Sequence, residues 1–187
     1  MNKEQIRNEI KKIVDENRTL LKNRFDFIPP TSEEINKMEE QLGIKLPEAY
    51  IWAWSIFGGG IGDSYISFGK DGFDVVEGTM KSWEEQKCRN EEIKYETDEM
   101  TDEIIDEVIL EPKTYIVIED YIFEFAIDIE SGKMIEIGTD DYIEKTEETY
   151  EMFILDNLIE TIKTLKIDFS KKVNPDGMGM FVPKQKA

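Results

Sequence analysis

Residues 121–130 alternate Tyr121, Phe123, Phe125, Ile127 and Ile129 with Ile122, Glu124, Ala126, Asp128 and Glu130. That is a period of two with one wetter face, the pattern of a strand covered on one side. Ser131-Gly132 then supplies a turn, and Met134-Ile135-Glu136-Ile137 predicts the returning antiparallel strand. The whole of 114–137 reads as the clearest β region of the chain, and its apolar face needs helices to cover it.

Helical spacing supplies that cover. Residues 3–21 carry Ile6, Ile10, Ile13, Val14, Leu20 and Leu21 on an amphipathic repeat, which Pro29-Pro30 closes off. Thr31 with Glu34 forms a capping-box pattern, Ile35, Met38 and Leu42 follow on one face, and Gly43 stops the helix. Pro47 suits the first turn of the next helix, which runs through Tyr50, Ala53, Trp54 and Phe57 to Gly58-Gly59-Gly60. Short strands are expected at 65–68 and 73–76. Thr101 predicts a short capped helix that Pro112 stops. Thr146 predicts the cap of a last helix, with Glu147 and Glu148 in its first turn and a stripe of Tyr150, Ile154, Leu158, Ile162 and Leu165.

This order predicts an α+β fold: an antiparallel twisted sheet packed against helices, with an extra N-terminal helix. Residues 1–27 read as a helical extension, 28–169 as the domain with an acidic insertion near 84–111, and 170–187 as a flexible tail.

The chain holds 42 acidic and 23 basic residues in 187, a formal net charge of −19. The acidity is concentrated, with 36 acidic against 12 basic residues in 28–169 and 12 against three in 84–111. Such a surface repels nucleic acid and anionic membrane and favours a basic partner. Histidine is absent, which removes Ser-His and Cys-His catalysis and histidine metal sites. The single Cys88 excludes an internal disulfide and, among Glu84, Glu85, Glu91 and Glu92, reads as an inert thiol. Gly58-Gly59-Gly60-Ile61-Gly62-Asp63 misses the dinucleotide fingerprint and lies between a helix and a strand, the wrong order for phosphate binding. No catalytic residue, cofactor or metal is expected. The charged N-terminus is no signal peptide and no apolar run is long enough to span a bilayer, so a cytoplasmic protein is expected.

Binding remains, with acids to steer a cationic partner and aromatics to anchor it. The candidates are Asp63, Tyr65, Asp71 and Asp74 around the glycine turn and the first strands, and Glu84, Glu85, Glu91 and Glu92 in the acidic stretch. Trp83, Tyr95 and Tyr142 also lie among acids. Trp52 is a separate candidate. With Trp54 facing the core, Trp52 is rotated about 200° away on the helix and needs cover from the N-terminal helix, a homodimer partner or a ligand.

The run Ile28-Pro29-Pro30-Thr31-Ser32-Glu33-Glu34-Ile35, then Met38 to Glu48 with Leu42-Gly43-Ile44-Lys45-Leu46-Pro47, then Tyr50 and Phe57-Gly58-Gly59-Gly60, resembles the SUKH superfamily, in particular the Smi/Knr-type domain in its bacterial antitoxin branch. Val75-Val76 with Thr79, Tyr115 to Asp120, the strand running to Asp128 and a final helix with Phe153 and Leu158 are also similar, so the resemblance spans roughly 28–165. It implies an antiparallel sheet on helices and a non-enzymatic binding module. Many bacterial members are immunity proteins that block a cognate toxin, often a nuclease; others regulate cell-wall synthesis or act as scaffolds. Ile51, Trp52 and Ile56 stand where the family is commonly polar. Two readings stay open here: an immunity protein against a basic nuclease toxin, and a regulatory or scaffolding module docking through Trp52. An immunity gene lies beside its toxin gene; a regulator's need not.

Overall fold

The computed structural model describes residues 1–22, 24–59, 74–99, 109–120, 124–138 and 142–172, with side chains outside the described part at 92–99, 119–120 and 168–172. Helix α1 (Lys3–Leu21) opens on Asn2 and α2 (Ser32–Leu42) on Thr31, each closed by a reciprocal capping box, with Gln5 and Glu34 as the returning side chains. Gly43 ends α2 at φ 65°, left-handed as a C-terminal glycine should be. Helix α3 (Glu48–Phe57) starts just after Pro47 and stops at Gly58. Gly58 has a second duty. A Cβ there would stand 1.9 Å from Asp26 Oδ1 and 2.3 Å from Ile28 N, so only glycine lets the 25–28 segment pass. Asp26 Oδ1 fastens the crossing, accepting from the N–H groups of Ile28 and Gly59 at 2.8 Å each.

Four strands follow as an antiparallel meander in the order β1 (Tyr115–Asp120), β2 (Glu124–Asp128), β3 (Lys133–Ile137) and β4 (Ile143–Thr149). The β2–β3 hairpin turns at Gly132, φ 70°, as the Ser131-Gly132 pair predicts. Tyr50, Phe57, Tyr115, Ile127, Ile154 and Leu158 are all buried in one core, and α1 joins it through Ile10, Val14 and Leu21. Helix α5 (Tyr150–Lys172) packs against α1, α3, β3 and β4. The predicted fold class and N-terminal helix are present.

Two local expectations are corrected. Val75 and Val76 are not strand residues; they open helix α4 (Val75–Glu99), because Asp74 Oδ1 accepts from the N–H groups of Val76 (2.9 Å) and Glu77 (3.1 Å). That cap and the complete burial of Val75 override β-branched preference. Thr146, Glu147 and Glu148 are not a helix start but part of β4. The Thr146 hydroxyl donates to Met134 O across the sheet at 3.2 Å. The expected strand at 65–68 and the helix from Thr101 lie largely or wholly outside the described residues, as does the tail beyond Lys172.

Helix α4 lies along the outer edge of β1 and closes it. Thr79 Oγ accepts from Val117 N–H at 2.9 Å, and Trp83 Nε1, one turn on, donates to Tyr115 O at 3.0 Å. These are the outward backbone groups of an edge strand, which would otherwise invite another chain. Thr79→Val keeps the shape and leaves the buried Val117 N–H without its acceptor. A loss of about 1–3 kcal/mol in urea unfolding is expected; an unchanged midpoint would show that the hydroxyl does not hold the edge.

Candidate partner-binding surface

Besides Val75 and Trp83, the buried side of α4 is polar: Thr79, Ser82, Gln86 and Asn90 are each under 9% exposed. Ser82 Oγ donates to Glu124 Oε2 (2.6 Å) and lies 3.2 Å from the Tyr115 hydroxyl, whose pKa burial pushes up to about 12. Asn90 Nδ2 donates to Leu110 O at 3.0 Å. With these side chains turned inward, Glu77, Glu84 and Glu91 stand outward on one ridge, spaced by seven residues, with exposed Glu85 beside them. Lys81 and Lys87 are interspersed, and Lys81 Nζ lies 3.8 Å from Glu85.

The structure therefore brings Asp74, Glu84, Glu85 and Glu91 onto one helix, Asp74 at its start. Glu92 lies on the next residue, its side chain outside the described part; Asp63, Tyr65 and Asp71 are outside it altogether. Trp83 is no free anchor, since it holds the edge of β1. Tyr142 is half exposed, its hydroxyl donating to Glu144. Sequence reasoning missed Glu77, although its seven-residue spacing from Glu84 and Glu91 was there to see. It also missed a second acidic group. Glu136 and Glu144 face each other across β3 and β4. Glu148 sits near Asp156 and Glu136, and burial first, then those two carboxylates, hold its pKa above the usual carboxylate range. Like charges opposed across strands cost stability.

Residues 29–163 match the SMI1 / KNR4 family (SUKH-1), more than half of the chain. The chain belongs to that family. No curated protein matches it. No helix among the described residues is long and apolar enough to cross a membrane.

Helix α1 precedes the matched SUKH-1 stretch and is clipped onto it by charge. Arg7 makes a two-pronged bond to Glu48, Nη1 to Oε1 at 2.6 Å and Nη2 to Oε2 at 2.7 Å, and reaches Glu151 Oε1 from Nη2 at 2.7 Å. Lys3 Nζ adds a bond to Glu48 at 2.6 Å. The Arg7 guanidinium also lies 4.6 Å from the centre of the Trp52 ring. Trp52 is half-buried, and of the three covers open to it the N-terminal helix supplies one. Burial works against the charge on Arg7, yet its bonds to Glu48 and Glu151 outweigh that and raise its pKa. The same bond from Arg7 holds the Glu48 carboxyl down to about 2.

Glu148 and Glu48, shifted in opposite directions, give stability a definite pH shape, and Glu39, lowered by its bond from Lys45, adds to the acid side. Glu148 has a raised folded pKa, so protonating it removes a partly buried charge and its repulsion from Asp156 and Glu136, and stability rises as pH falls from neutral through that value. Glu48 has a depressed folded pKa, so its contribution is full above about 4.5 and is lost as pH falls towards 2. Thermal unfolding is expected to be most resistant at mildly acidic pH. Glu148→Gln should flatten the neutral side of the profile and Glu48→Gln the acid side; a profile unchanged in both variants would contradict these assignments.

Proposed function

We propose that the chain is an immunity protein that binds a cognate toxin domain of basic character, a nuclease, and occludes its active site without chemistry of its own. The observation that carries this is the SUKH-1 match over residues 29–163 in a chain of net charge −19. The family includes immunity proteins. Nucleases hold phosphates in cationic grooves, so an acidic protein competes electrostatically with their nucleic acid. The α4 ridge, with Asp74 at its start, offers carboxylates on a rigid element fixed to the sheet. Asp63, Tyr65, Asp71 and Glu92 remain partner-binding candidates from the sequence, outside the described side chains. Trp52 already carries a cover from Arg7, so the scaffold reading through that residue has no observation favouring it over the acidic face. The reading places the protein in the cytoplasm, where such a toxin arrives.

The test is co-expression with the toxic domain encoded by the neighbouring gene, scoring survival and then capture at low and high salt. Rescue with a salt-weakened complex is expected. No rescue and no capture would overturn the proposal.

A further inference from the structure

Between α2 and the start of α4 lies a groove of about 720 Å3. Met38 of α2, Trp54 of α3, and Val76 and Met80 of α4 give it an apolar lining. Met80 is 52% exposed, a large apolar side chain left in water at the mouth. Trp54 is only 3% exposed, and its indole Nε1 has no acceptor among the described residues. Buried tryptophan N–H groups ordinarily find one, and a native exception asks for an explanation. Three carboxylates, Glu34, Asp74 and Glu77, line the groove against two ammonium groups, Lys37 and Lys81. Lys81 already faces Glu85.

We propose that this groove docks a cationic polypeptide segment of the partner. An apolar side chain lies on Met38, Val76 and Met80, a main-chain carbonyl accepts from Trp54 Nε1–H, and a lysine or arginine of the segment meets Glu77. The inference rests on reading the chain as a binder of basic proteins, and it gives that binding a centre at the N-terminal end of the acidic ridge. A polypeptide supplies the missing acceptor at every residue. The excess of carboxylates selects a cationic segment over an acidic one.

The test follows the indole N–H signals of Trp52, Trp54 and Trp83 in the full chain by proton–nitrogen correlation NMR, with Trp54→Phe to assign one of them. The probes are a blocked five-residue peptide, glycine-lysine-leucine-lysine-glycine, and its counterpart with glutamate for each lysine. The lysine peptide is expected to move the Trp54 signal downfield, as a new hydrogen bond does, and to bind about threefold or more tightly than the glutamate peptide. Trp83, already bonded to Tyr115 O, should stay in place. Met80→Ser, at an exposed position, should weaken the peptide several-fold and leave the unfolding midpoint unchanged. A Trp54 signal that neither peptide moves, or that both move equally, would overturn the proposal. So would full toxin capture by Met80→Ser, which leaves the immunity reading intact. Loss of capture by the unaltered chain strikes that reading instead, while a selective Trp54 shift still supports the groove.

Discussion

Arg7→Ala is expected to lower the free energy of unfolding by about 3–5 kcal/mol, the range for removing one partner of a buried ion pair. Glu151 is 2% exposed. Without the guanidinium, its carboxylate stays buried, and among the described residues Lys3, 3.5 Å away, is the cation left to it. The same substitution uncovers Trp52 and loosens the docking of α1, whose Ile10 and Leu21 are fully buried. Glu48→Ala removes the other acidic partner, but that side chain is 66% exposed. Water then solvates what is left, and the loss should be about 1 kcal/mol or less. Replacing Arg7 and Glu151 together with methionine removes both charges and should come close to neutral. Urea unfolding of the three variants separates the cases. An Arg7→Ala loss no larger than that of Glu48→Ala would mean that Glu151 does not depend on Arg7.

Legibility in the sequence followed locality. Helices α1, α2 and α3 carry their own start or stop signals, such as Thr31 with Glu34 and the glycines 43 and 58. The β2–β3 hairpin carries its alternation and its turn. Strand β4 carries neither, because an edge strand facing water fills with charge: Ile-Glu-Lys-Thr-Glu-Glu-Thr is protection against sticky edges, and it reads like a helix start. Helix α4 was hidden for a different reason. Its inward stripe is mostly Thr79, Ser82, Gln86 and Asn90, of which Thr79 bonds to the β1 edge, Ser82 to the Glu124 carboxylate and Asn90 to Leu110 O, so hydrophobic periodicity has little to detect. Long-range pairs were illegible altogether. Nothing near Arg7 announces Glu151, which lies 144 residues away, and only the β3–β4 register sets Glu136 against Glu144. Of the candidate site, the acidic residues were named from composition alone; which of them share one exposed ridge depended on knowing which side of α4 is buried.

Reversing Glu84, Glu85 and Glu91 together to lysine is expected to slow association with the toxin domain by about 10- to 1000-fold at low salt, the span of electrostatic steering. All three are exposed, and the Lys81–Glu85 ion pair joins two side chains that are each 58% exposed. The fold should therefore survive the change. Each reversal also shifts the net charge by two units, so a slower rate alone does not locate the interface. Reversal of Glu4, Asp15 and Glu16, also exposed but on α1, shifts the charge by the same amount. If the α4 ridge is the docking face, this second set costs much less once salt is raised to the physiological range, because exposed charges farther from the interface than a Debye length, about 8 Å there, are then largely screened. Stopped-flow association rates at two salt concentrations decide it. The α4 variant should fail to protect cells in co-expression and should converge on the unaltered chain as salt rises. Equal slowing by both sets would mean that the overall field steers the partner, and the ridge would lose its claim as the interface.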